Sequence, residues 1–582
     1  KVKGDPDQIT ITPDTKQGGL RFNWLTDPRV TKTVIQYKVK GASKWESKTG
    51  TSYVESVTAG YKEKAAHRVE ITGLTPSAEY VYRVGDGGEF MSEEKSFTAP
   101  KSADDKNFKV IFYSDPQSES VENYMSFKYS IDQALKVCPN PDLMISAGDT
   151  TQNGYKSTEW EACFEVMHDY YAKYPTVTVA GNHEMKGDWN FISFAQRFNM
   201  SGAKTGYPEF DRTMGYFEYG DAIFVILNGE VTPADKKPEI MKKELQWCKS
   251  VLDASDKKWR IVMTHAGPYT SNHDPLDVRD YYINDSEYSL DKMNVDLFLN
   301  GHDHIYIRST VKNDIKVNTG DGTTYITGGT VGNKFYEYMP ARSDYSTDFY
   351  VDEEDKQVFS VIEFSEDSIK GTAYQKQDPD DWNSFKAVDS YEILNNRQTG
   401  KQVSDYTDVS KNAWYYDAAK YVTDKQLMSG EKPYVFGADE ALTRAEVASA
   451  LYNLAGQPKV ELASFTDVPV THQARTAIAW AAKTGIMKGV GDNKFEPDRS
   501  VSREEIATLL TRQRKLSGED VSADKAAINE FADSAKISSW AVDGVAYCTK
   551  SGLVKGNPGK VFAPAGNTTR AELATIIQRI AA

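Results

Sequence analysis

The chain has few cysteines and no long run of apolar residues. Its 582 residues include four cysteines, and none of them lies in a CxxC pair or in a spacing typical of zinc ligands. Buried free thiols are therefore expected, with a bond between Cys138 and Cys163 left open. No apolar run approaches the roughly 20 residues that span a bilayer, so at a mean hydropathy of −0.57 we expect no transmembrane segment.

Positive charge is in deficit, and histidine is scarce. The chain has 69 lysines and arginines against 84 aspartates and glutamates, which gives a net charge of −15. A surface of this sign repels polyanions, so no nucleic acid or anionic membrane is expected as a broad-surface partner. Only eight histidines are present, yet five of them lie between His183 and His304.

Five short polar motifs concentrate these histidines, and most of them follow a hydrophobic run typical of a strand. Because ligands bind at the carboxyl ends of strands in open α/β sheets, we expect the motifs to meet at one sheet edge. Carboxylate, amide and imidazole groups suit two divalent metals that share one carboxylate. The motifs are SDPQ (Ser114–Gln117), GD (Gly148–Asp149), GNHE (Gly181–Glu184), THAGPY (Thr264–Tyr269) and GHDH (Gly301–His304).

The ordered motif series resembles that of the calcineurin-like metallophosphoesterases and, within them, the purple acid phosphatases. The resemblance implies a dinuclear centre in which Asp149 bridges both metals. It implies Asp115 and His304 as ligands of the first metal. It implies Asn182, His265 and His302 as ligands of the second metal.

The same resemblance implies the residues that act on the substrate. His183 corresponds to the family's non-ligand histidine, which contacts phosphate or protonates the leaving group. Glu184 is expected to hydrogen-bond its neighbouring site groups. The stretch THAGPYTSNH resembles a family segment that ends in another histidine, so His273 is a candidate for a second phosphate contact.

Two glutamines depart from the family pattern near the first metal. Gln152 stands where purple acid phosphatases have a tyrosine, and Gln117 stands where many metallophosphoesterases have a histidine. A neutral amide oxygen stabilises a trivalent ion less than a phenolate does. We therefore expect two divalent ions, zinc, manganese or iron, with Gln117 as the compensating ligand of the first.

The pattern of hydrophobic residues predicts a multidomain chain. Residues 1–100 read as short strands of a β-sandwich and resemble the fibronectin-III-like domain that precedes the catalytic domain in purple acid phosphatases. Residues 107–378 are expected to form an α/β four-layer sandwich, with helices at 120–137, 157–173 and 238–254 and a hairpin that turns at Tyr219–Asp221. Residues 379–403 are polar and read as a linker.

The last third contains an internal repeat. Three units open on YTDV, FTDV and FADS and close on LTRAE, VSREE and TTRAE, where a Ser or Thr with a Glu three residues later forms a helix start. The units resemble S-layer homology domains, and the resemblance implies three mainly α-helical repeats. Their expected bounds are 404–459, 460–520 and 526–582.

The second resemblance implies a partner and a location. The family binds an anionic secondary polymer of the cell wall, so we expect a secreted protein at the surface of a Gram-positive-type bacterium, attached to cell wall or S-layer. The alternative is that the repeat arginines only brace helix starts. The residues that the resemblance assigns to the polymer are Asp408, Asp467, Asp533, Arg444, Arg503, Arg570, Trp414 and Trp540.

Together these features predict a cell-wall-anchored phosphatase that hydrolyses phosphate monoesters with metal-activated water. A phosphodiesterase or nucleotidase with the same site is one alternative. A structural S-layer protein with a vestigial site is another, which the two glutamines favour and the complete second-metal set opposes. Substrate, metal identity and oligomeric state stay open.

Overall fold

The computed structural model describes most of the chain and divides it into two compact units. The first comprises Lys1–Thr310 with Thr323–Leu394, and the second comprises Val311–Gly322 with Asn395–Ala582. The described residues are 4–57, 63–200, 202–230, 237–271, 276–283, 288–312, 315–316, 322–339, 347–351, 356–394, 403, 406–431, 435–458, 460, 465–468, 472 and 474–581.

The amino-terminal domain is a sandwich of two four-stranded antiparallel sheets, ordered β1-β2-β6-β5 and β4-β3-β7-β8. Alternating apolar residues of both sheets, such as Ile11, Phe22 and Tyr82, share one buried core. The predicted sandwich is therefore confirmed. Its strands are β1 (Asp7–Pro13), β2 (Leu20–Thr26), β3 (Val34–Val39), β4 (Glu46–Thr49), β5 (Thr51–Val54), β6 (Ala65–Ile71), β7 (Glu79–Gly85) and β8 (Lys95–Thr98).

Two mixed sheets follow, and their facing apolar side chains form one core. The first has the order β11-β10-β9-β20-β21-β22, and the second runs β12-β13-β14-β15-β18-β16 with β19 paired to β16. The strands of the first are β9 (Phe108–Tyr113), β10 (Leu143–Ser146), β11 (Thr176–Thr178), β20 (Val358–Phe364), β21 (Ser368–Gln375) and β22 (Lys386–Leu394). The others are β12 (Gly215–Tyr219), β13 (Ala222–Ile226), β14 (Trp259–Met263), β15 (Leu297–Asn300), β16 (Tyr306–Lys312), β17 (Ile315–Lys316), β18 (Thr323–Gly328) and β19 (Thr347–Tyr350).

Helices pack on these sheets, α1 against β20 and α6 against β13. The three predicted helices and the hairpin between β12 and β13 are confirmed. The Ser120 side chain caps α1 by accepting from the Asn123 N–H. The helices are α1 (Val121–Val137), α2 (Ser157–Tyr171), α3 (Asn182–Met185), α4 (Ile192–Arg197), α5 (Pro208–Asp211), α6 (Lys237–Ala254) and α7 (Leu276–Tyr282).

The predicted linker is wrong over its middle. Strand β22 lies inside it and pairs with β21 along the edge of the first sheet. Only Tyr391 and Ile393 of this strand are buried, and its other residues are exposed or half-buried. An edge strand with so few apolar positions has the composition of a linker, so its hydrophobic pattern gives little signal.

The amino-terminal sandwich forms hydrogen bonds with the segment that follows the GNHE motif. Arg197, at the end of α4, is buried and donates from Nε to Gln8 Oε1 at 2.7 Å. Thr10 Oγ1 donates to the Arg197 carbonyl, and Arg68 donates to the Ala195 carbonyl at 2.6 Å. The sandwich thus fixes α4, seven residues beyond the end of α3.

The second unit contains paired helices from each repeat. Each of the predicted helix starts is confirmed by a Ser or Thr that accepts from the backbone N–H of a Glu three residues later. Three backbone bonds link the repeats in a closed triangle: Leu442 N–H to Thr568, Thr568 N–H to Val501, and Val501 N–H to Leu442. The helices are α8 (Tyr416–Asp424), α9 (Arg444–Leu454), α10 (Arg475–Lys483), α11 (Arg503–Leu516), α12 (Val542–Lys550) and α13 (Arg570–Ala581).

Within the described part of the chain, no helix combines the length and the apolar character that crossing a bilayer requires.

Candidate metal centre

Side chains from all five motifs meet where strands β9, β10, β14 and β15 end. Two groups of possible metal ligands form there, and Asp149 belongs to both. One group contains Asp115, Asp149 and His304, and the other contains Asp149, His265 and His302. Within each group the ligand atoms lie within 4.8 Å of one another. The structure thus brings the predicted carboxylates and imidazoles together around one shared carboxylate.

The predicted amide ligand joins the second group. Asn182 Oδ1 lies 3.1 Å from His265 Nε2 and 3.1 Å from His302 Nδ1. His265 Nε2 also lies 3.1 Å from Asp149 Oδ2. In the first group, His304 Nε2 lies 3.4 Å from Asp115 Oδ1.

Backbone carbonyls orient two of these histidines. His265 Nδ1 lies 2.7 Å from the Ala147 carbonyl, and His304 Nδ1 contacts the Lys334 carbonyl. A carbonyl only accepts, so each Nδ1 carries a proton, and in the neutral ring each Nε2 turns a lone pair towards the cluster. This is the arrangement that presents imidazole to a metal.

The backbone at the site is unusual for non-glycine residues. Asp115, Asp149, His302 and His304 all have positive φ, between 52° and 75°. Such conformations are disfavoured for residues with a Cβ and persist only where the surrounding structure holds them, often at functional sites. A Cβ on Gly301 would lie 2.0 Å from Ser114 Oγ and 2.6 Å from Asp115 Oδ2, so this glycine permits the close approach of the GHDH turn.

Glu184 holds the bridging carboxylate's loop, as the sequence predicts. Its carboxylate accepts from the backbone N–H groups of Asp149, Thr150, Thr151 and Gly181 at 2.7 to 3.0 Å. Burial and the charge of Asp149 raise the pKa of Glu184 to about 8, and the backbone donors oppose that rise. Glu184 therefore lies behind the cluster as a support.

The electrostatics of the cluster favour a cation. Burial alone would raise the pKa of Asp149, but the charge and hydrogen bond of His265 outweigh it and hold that pKa well below its usual range. Burial likewise opposes protonation of His265, yet the charge of Asp149 raises its pKa well above 6.5. Burial raises the pKa of Asp115 to about 7. In each case positive charge at the cluster stabilises the carboxylates.

The residues fit a pair of metal ions. Acceptor atoms converge at distances near 3 Å, where their lone pairs would repel unless a cation lies between them. Gln117 adds a second observation, because its Oε1 is buried without a hydrogen-bond partner among the described residues. Its Nε2 lies 3.2 Å from His304 Nε2 and 3.4 Å from Asp149 Oδ2. Rotating the amide by half a turn places the oxygen, the ligating atom, beside the first group.

The predicted catalytic residues are placed differently. His183 lies beside the cluster, with Nδ1 2.7 Å from the Gln152 carbonyl and Nε2 3.8 Å from Asp149 Oδ2. Gln152 therefore contacts the site through its backbone. His273 lies outside the described residues, so its predicted phosphate contact stays a prediction.

Two lysines near the site, Lys186 and Lys334, lie outside the five motifs. Lys186 Nζ lies 3.0 Å from both ring nitrogens of His183. Lys334 supplies the carbonyl that orients His304 and places its ammonium 5.2 Å from the centre of the Tyr336 ring. The spacing of three residues from His183 on a helical turn was the only sequence signal for Lys186.

The predicted polymer-binding arginines turn their polar groups inwards. Arg444, Arg503 and Arg570 are 7%, 9% and 4% exposed. Each donates to the next repeat in a ring: Arg444 to the carbonyls of Phe495 and Lys488, Arg503 to those of Phe562 and Lys555, and Arg570 to that of Ser429. Arg503 also pairs with Glu572, and Arg570 with Glu446. The structure gives these arginines a bracing role, and their contact with a polymer stays a prediction.

The other predicted polymer contacts divide into two kinds. Each aspartate accepts two backbone N–H groups of its own repeat at 2.7 to 2.8 Å, as with Asp408 and the N–H groups of Phe436 and Gly437. Asp467 and Asp533 do the same, so all three hold loops. Trp414 and Trp540 are 68% and 56% exposed and remain available to a partner.

Three family models match the chain. Residues 6–99 match the purple acid phosphatase N-terminal domain, and residues 108–306 match the calcineurin-like phosphoesterases. Residues 405–448, 464–507 and 530–574 match the S-layer homology domain. The matches cover the amino-terminal sandwich, all five motifs from Ser114 to His304 and part of each of the three repeats.

Relatives repeat this division. The chain is 28% identical over 381 residues to purple acid phosphatase 23 of Arabidopsis thaliana, covering 56% of this chain and 79% of that protein. It is 31% identical over 173 residues to an amylopullulanase of Thermoanaerobacterium thermosulfurigenes, covering 30% of this chain but only 9% of that protein's length. The structure of purple acid phosphatase PPD1 from yellow lupin (Lupinus luteus) seeds shares the fold, with a TM-score of 0.54 and 15% identity over 67% of this chain and 74% of that one. The chain therefore belongs to the calcineurin-like phosphoesterases of the purple acid phosphatase type and carries three S-layer homology domains.

Proposed function

We propose that this chain is a metal-dependent phosphatase, held at the cell surface by its repeats, that hydrolyses phosphate monoesters at a dinuclear centre. The observation that carries the proposal is the Asp149 carboxylate shared by two groups of buried ligands. Two divalent ions bound there would neutralise the phosphate oxygens and activate a water molecule for attack. Zinc, manganese and iron all suit this mixture of carboxylate, amide and imidazole.

The ligands divide between the two ions as the family pattern implies. Asp149 would bridge the ions. The first ion would take Asp115, His304 and the amide oxygen of Gln117. The second would take Asn182, His265 and His302. The positive φ of four of these residues supports the assignment, because strained backbone is retained where a ligand geometry requires it.

His183 is the residue proposed to protonate the leaving group. Its Nδ1–H donates to the Gln152 carbonyl at 2.7 Å, which fixes the ring. Burial lowers the pKa of His183, and the charge of Asp149 and this hydrogen bond oppose that fall. Its Nε2 is the ring nitrogen nearer to Asp149, at 3.8 Å from Oδ2. A proton held on Nε2 is therefore directed towards the cluster, where the ester oxygen leaves.

The amino-terminal domain supports this role from a distance. It fixes α4 through Arg197 and Arg68, so the short segment between α3 and α4 is held at both ends. We therefore favour a role for the fibronectin-III-like domain in shaping the rim of the active site over a role as a plain spacer.

Substrate class rests on the family. Phosphate monoesters are preferred because the relatives that align with the amino-terminal sandwich and the α/β domain are purple acid phosphatases. A phosphodiesterase or nucleotidase would use the same ligands. A vestigial site in a structural S-layer protein is disfavoured, because the ligand groups for both ions converge.

The repeats would attach the enzyme to an anionic cell-wall polymer, and exposed Trp414 and Trp540 are proposed to stack on its sugar rings. His273 is proposed as a second phosphate contact.

Removal of metal ions from the purified chain should abolish hydrolysis of phosphate monoesters, and adding back zinc, manganese or iron should restore it. Metal analysis should give two ions per chain, which Asp149→Asn should lose. Asp253→Asn on α6 is the control. Full metal content without hydrolysis of any monoester or diester would contradict the proposal.

A further inference from the structure

Two ammonium groups lie beside the metal centre, one near His183 and one near His304. Lys186 follows α3 directly and lies 3.0 Å from His183 Nε2. Because the Nδ1–H of His183 donates to the Gln152 carbonyl, the neutral ring, which is the form left after His183 has protonated the leaving group, has a lone pair on Nε2 that the ammonium can donate to. That same nitrogen lies 3.8 Å from the bridging carboxylate, so a single ring atom separates Lys186 from Asp149.

Lys334 lies on the side of His304. Its backbone carbonyl orients the His304 ring, and its ammonium lies over the ring of Tyr336. The Tyr336 and His304 rings are in contact, with centroids 4.5 Å apart. The positive charge of Lys334 also lowers the pKa values of His183, Lys186 and His304, after burial, which places it within electrostatic reach of all three.

Neither ammonium forms a direct ion pair with a described carboxylate, although the charge of Asp149 favours the charged form of Lys186 from a distance. Among the described residues, no carboxylate lies within the 4.0 Å of an ion pair from Lys186 or Lys334, although the chain has 84 acidic side chains. Some other lysines are paired, as Lys243 is with Glu239 at 3.4 Å. Two unpaired, half-buried cations beside a cationic centre repel one another unless an anion binds between them.

A simple phosphate monoester does not supply enough negative charge. Two divalent ions carry four positive charges, of which Asp115 and Asp149 balance two and a monoester dianion the other two. Glu184 is compensated separately by its four backbone donors. An attacking water that has lost a proton would offset one of the two lysine charges, so one positive charge remains for a further anionic group of the substrate.

Resting on the proposed function, we propose that Lys186 and Lys334 bind a second phosphate group of the substrate, next to the phosphate that is cleaved. The preferred substrates are then small bisphosphate esters. Lysine suits this role because its three donors follow a phosphate as a flexible point charge, without demanding one geometry. The two lysines act on binding, and the reaction at the cleaved phosphate is unchanged.

The test compares 1,3-propanediol bisphosphate with propyl phosphate in the metal-loaded full chain. The ratio of their kcat/KM values is the readout, because it cancels any loss common to both substrates. We expect the wild type to prefer the bisphosphate by about tenfold, and Lys186→Met and Lys334→Met each to remove most of this preference. Lys186→Arg and Lys334→Arg should retain it, and Lys243→Met is the matched surface control.

A second measurement does not depend on turnover. Calorimetric titration should give tighter binding of pyrophosphate than of orthophosphate, and both Met variants should narrow that difference while metal content stays at the wild-type value. Equal ratios in wild type and both Met variants, with no difference in calorimetry, would overturn the inference. If neither ester is hydrolysed by the metal-loaded wild type, the proposed function itself fails; hydrolysis of propyl phosphate without a bisphosphate preference removes the lysine assignment alone.

Discussion

The metal centre and the arginines of the repeats are both buried and polar, but the arginines direct most of their donors to partners in the neighbouring repeat. Arg503 gives three of its donors to Phe562, Lys555 and Glu572 of the next repeat. At the metal centre, by contrast, His265 Nε2 and Asn182 Oδ1 face each other as acceptors. Burial with satisfied partners indicates a structural role, whereas converging acceptors indicate a missing cation.

The three arginines themselves are not equivalent. Arg503 and Arg570 each pair with a glutamate at the third position of a neighbouring helix. The corresponding partner of Arg444 would be Glu505, but Glu505 pairs with Arg499 at 2.7 Å. Arg444 therefore depends on two carbonyls and on stacking over Phe495, 4.6 Å from its ring centre. This asymmetry gives the first and largest prediction.

Arg503→Met should destabilise the repeats more than Arg444→Met does. The first change leaves Glu572 without its partner in a half-buried interface, at a cost of about 3 kcal/mol. The second loses two neutral carbonyl contacts, at about 1 to 2 kcal/mol. Urea unfolding followed by pulse proteolysis of the repeat region measures both, with exposed Lys560→Met as the control. Equal destabilisation by the two changes would contradict the assigned asymmetry.

The same comparison predicts the effect of His183, which is buried beside the cluster without ligating it. His183→Ala should lower turnover by about a hundredfold or more, as removal of a general acid does. Metal content should stay near the wild-type value, because Asn182 is the metal ligand proposed from this segment. Atomic absorption on the same sample as the assay checks this. Parallel loss of metal and activity would show that His183 is a ligand.

The sequence located the metal centre better than the repeats' contacts, and the reason is physical. Motifs such as GNHE and GHDH fix ligand type and backbone turn together, so strand order alone brings them to one place. TRAE-like motifs fix a helix start, which Thr443 and Ser502 confirm. Where the adjoining Arg444 side chain points depends on the neighbouring repeat, and no local pattern encodes that. Strand β22 was predicted as a linker for a related reason. Its own composition gives little strand signal, and its pairing with β21 is what identifies it as a strand.

Gln117 gives a prediction of intermediate size, because its buried Oε1 lies beside the cluster without a hydrogen-bond partner among the described residues. Gln117→Ala should weaken the first metal by about tenfold while leaving the second in place, because the lost ligand is a neutral one among several. Gln117→His should preserve or tighten that site. Titration of the metal-free chain with zinc, read by calorimetry, separates the two sites. Two unchanged affinities in Gln117→Ala would assign the buried oxygen to water.

The smallest predicted effect concerns a buried histidine whose partners are all internal. His67 is fully buried in β6, with Nε2 2.7 Å from Thr26 Oγ1, Nδ1 2.8 Å from Thr33 Oγ1 and its ring stacked on Trp24. Burial lowers its pKa from 6.5 to about 4. The unfolded chain therefore binds a proton at His67 more readily than the folded one, so the stabilising contribution of His67 is present above pH 6.5 and is lost as pH falls towards 4.

Pulse proteolysis in urea at the two ends of this pH range, read on peptides from residues 65–71, should give a lower urea midpoint of unfolding at the acid end. His67→Gln keeps both threonine contacts but cannot ionise, so it should reduce the difference between the midpoints. An equal difference in wild type and variant would show that carboxylates alone cause the acid sensitivity of the sandwich. The comparison with His67→Gln also distinguishes the acid sensitivity due to His67 from that due to the cluster histidines, whose protonation competes with metal binding.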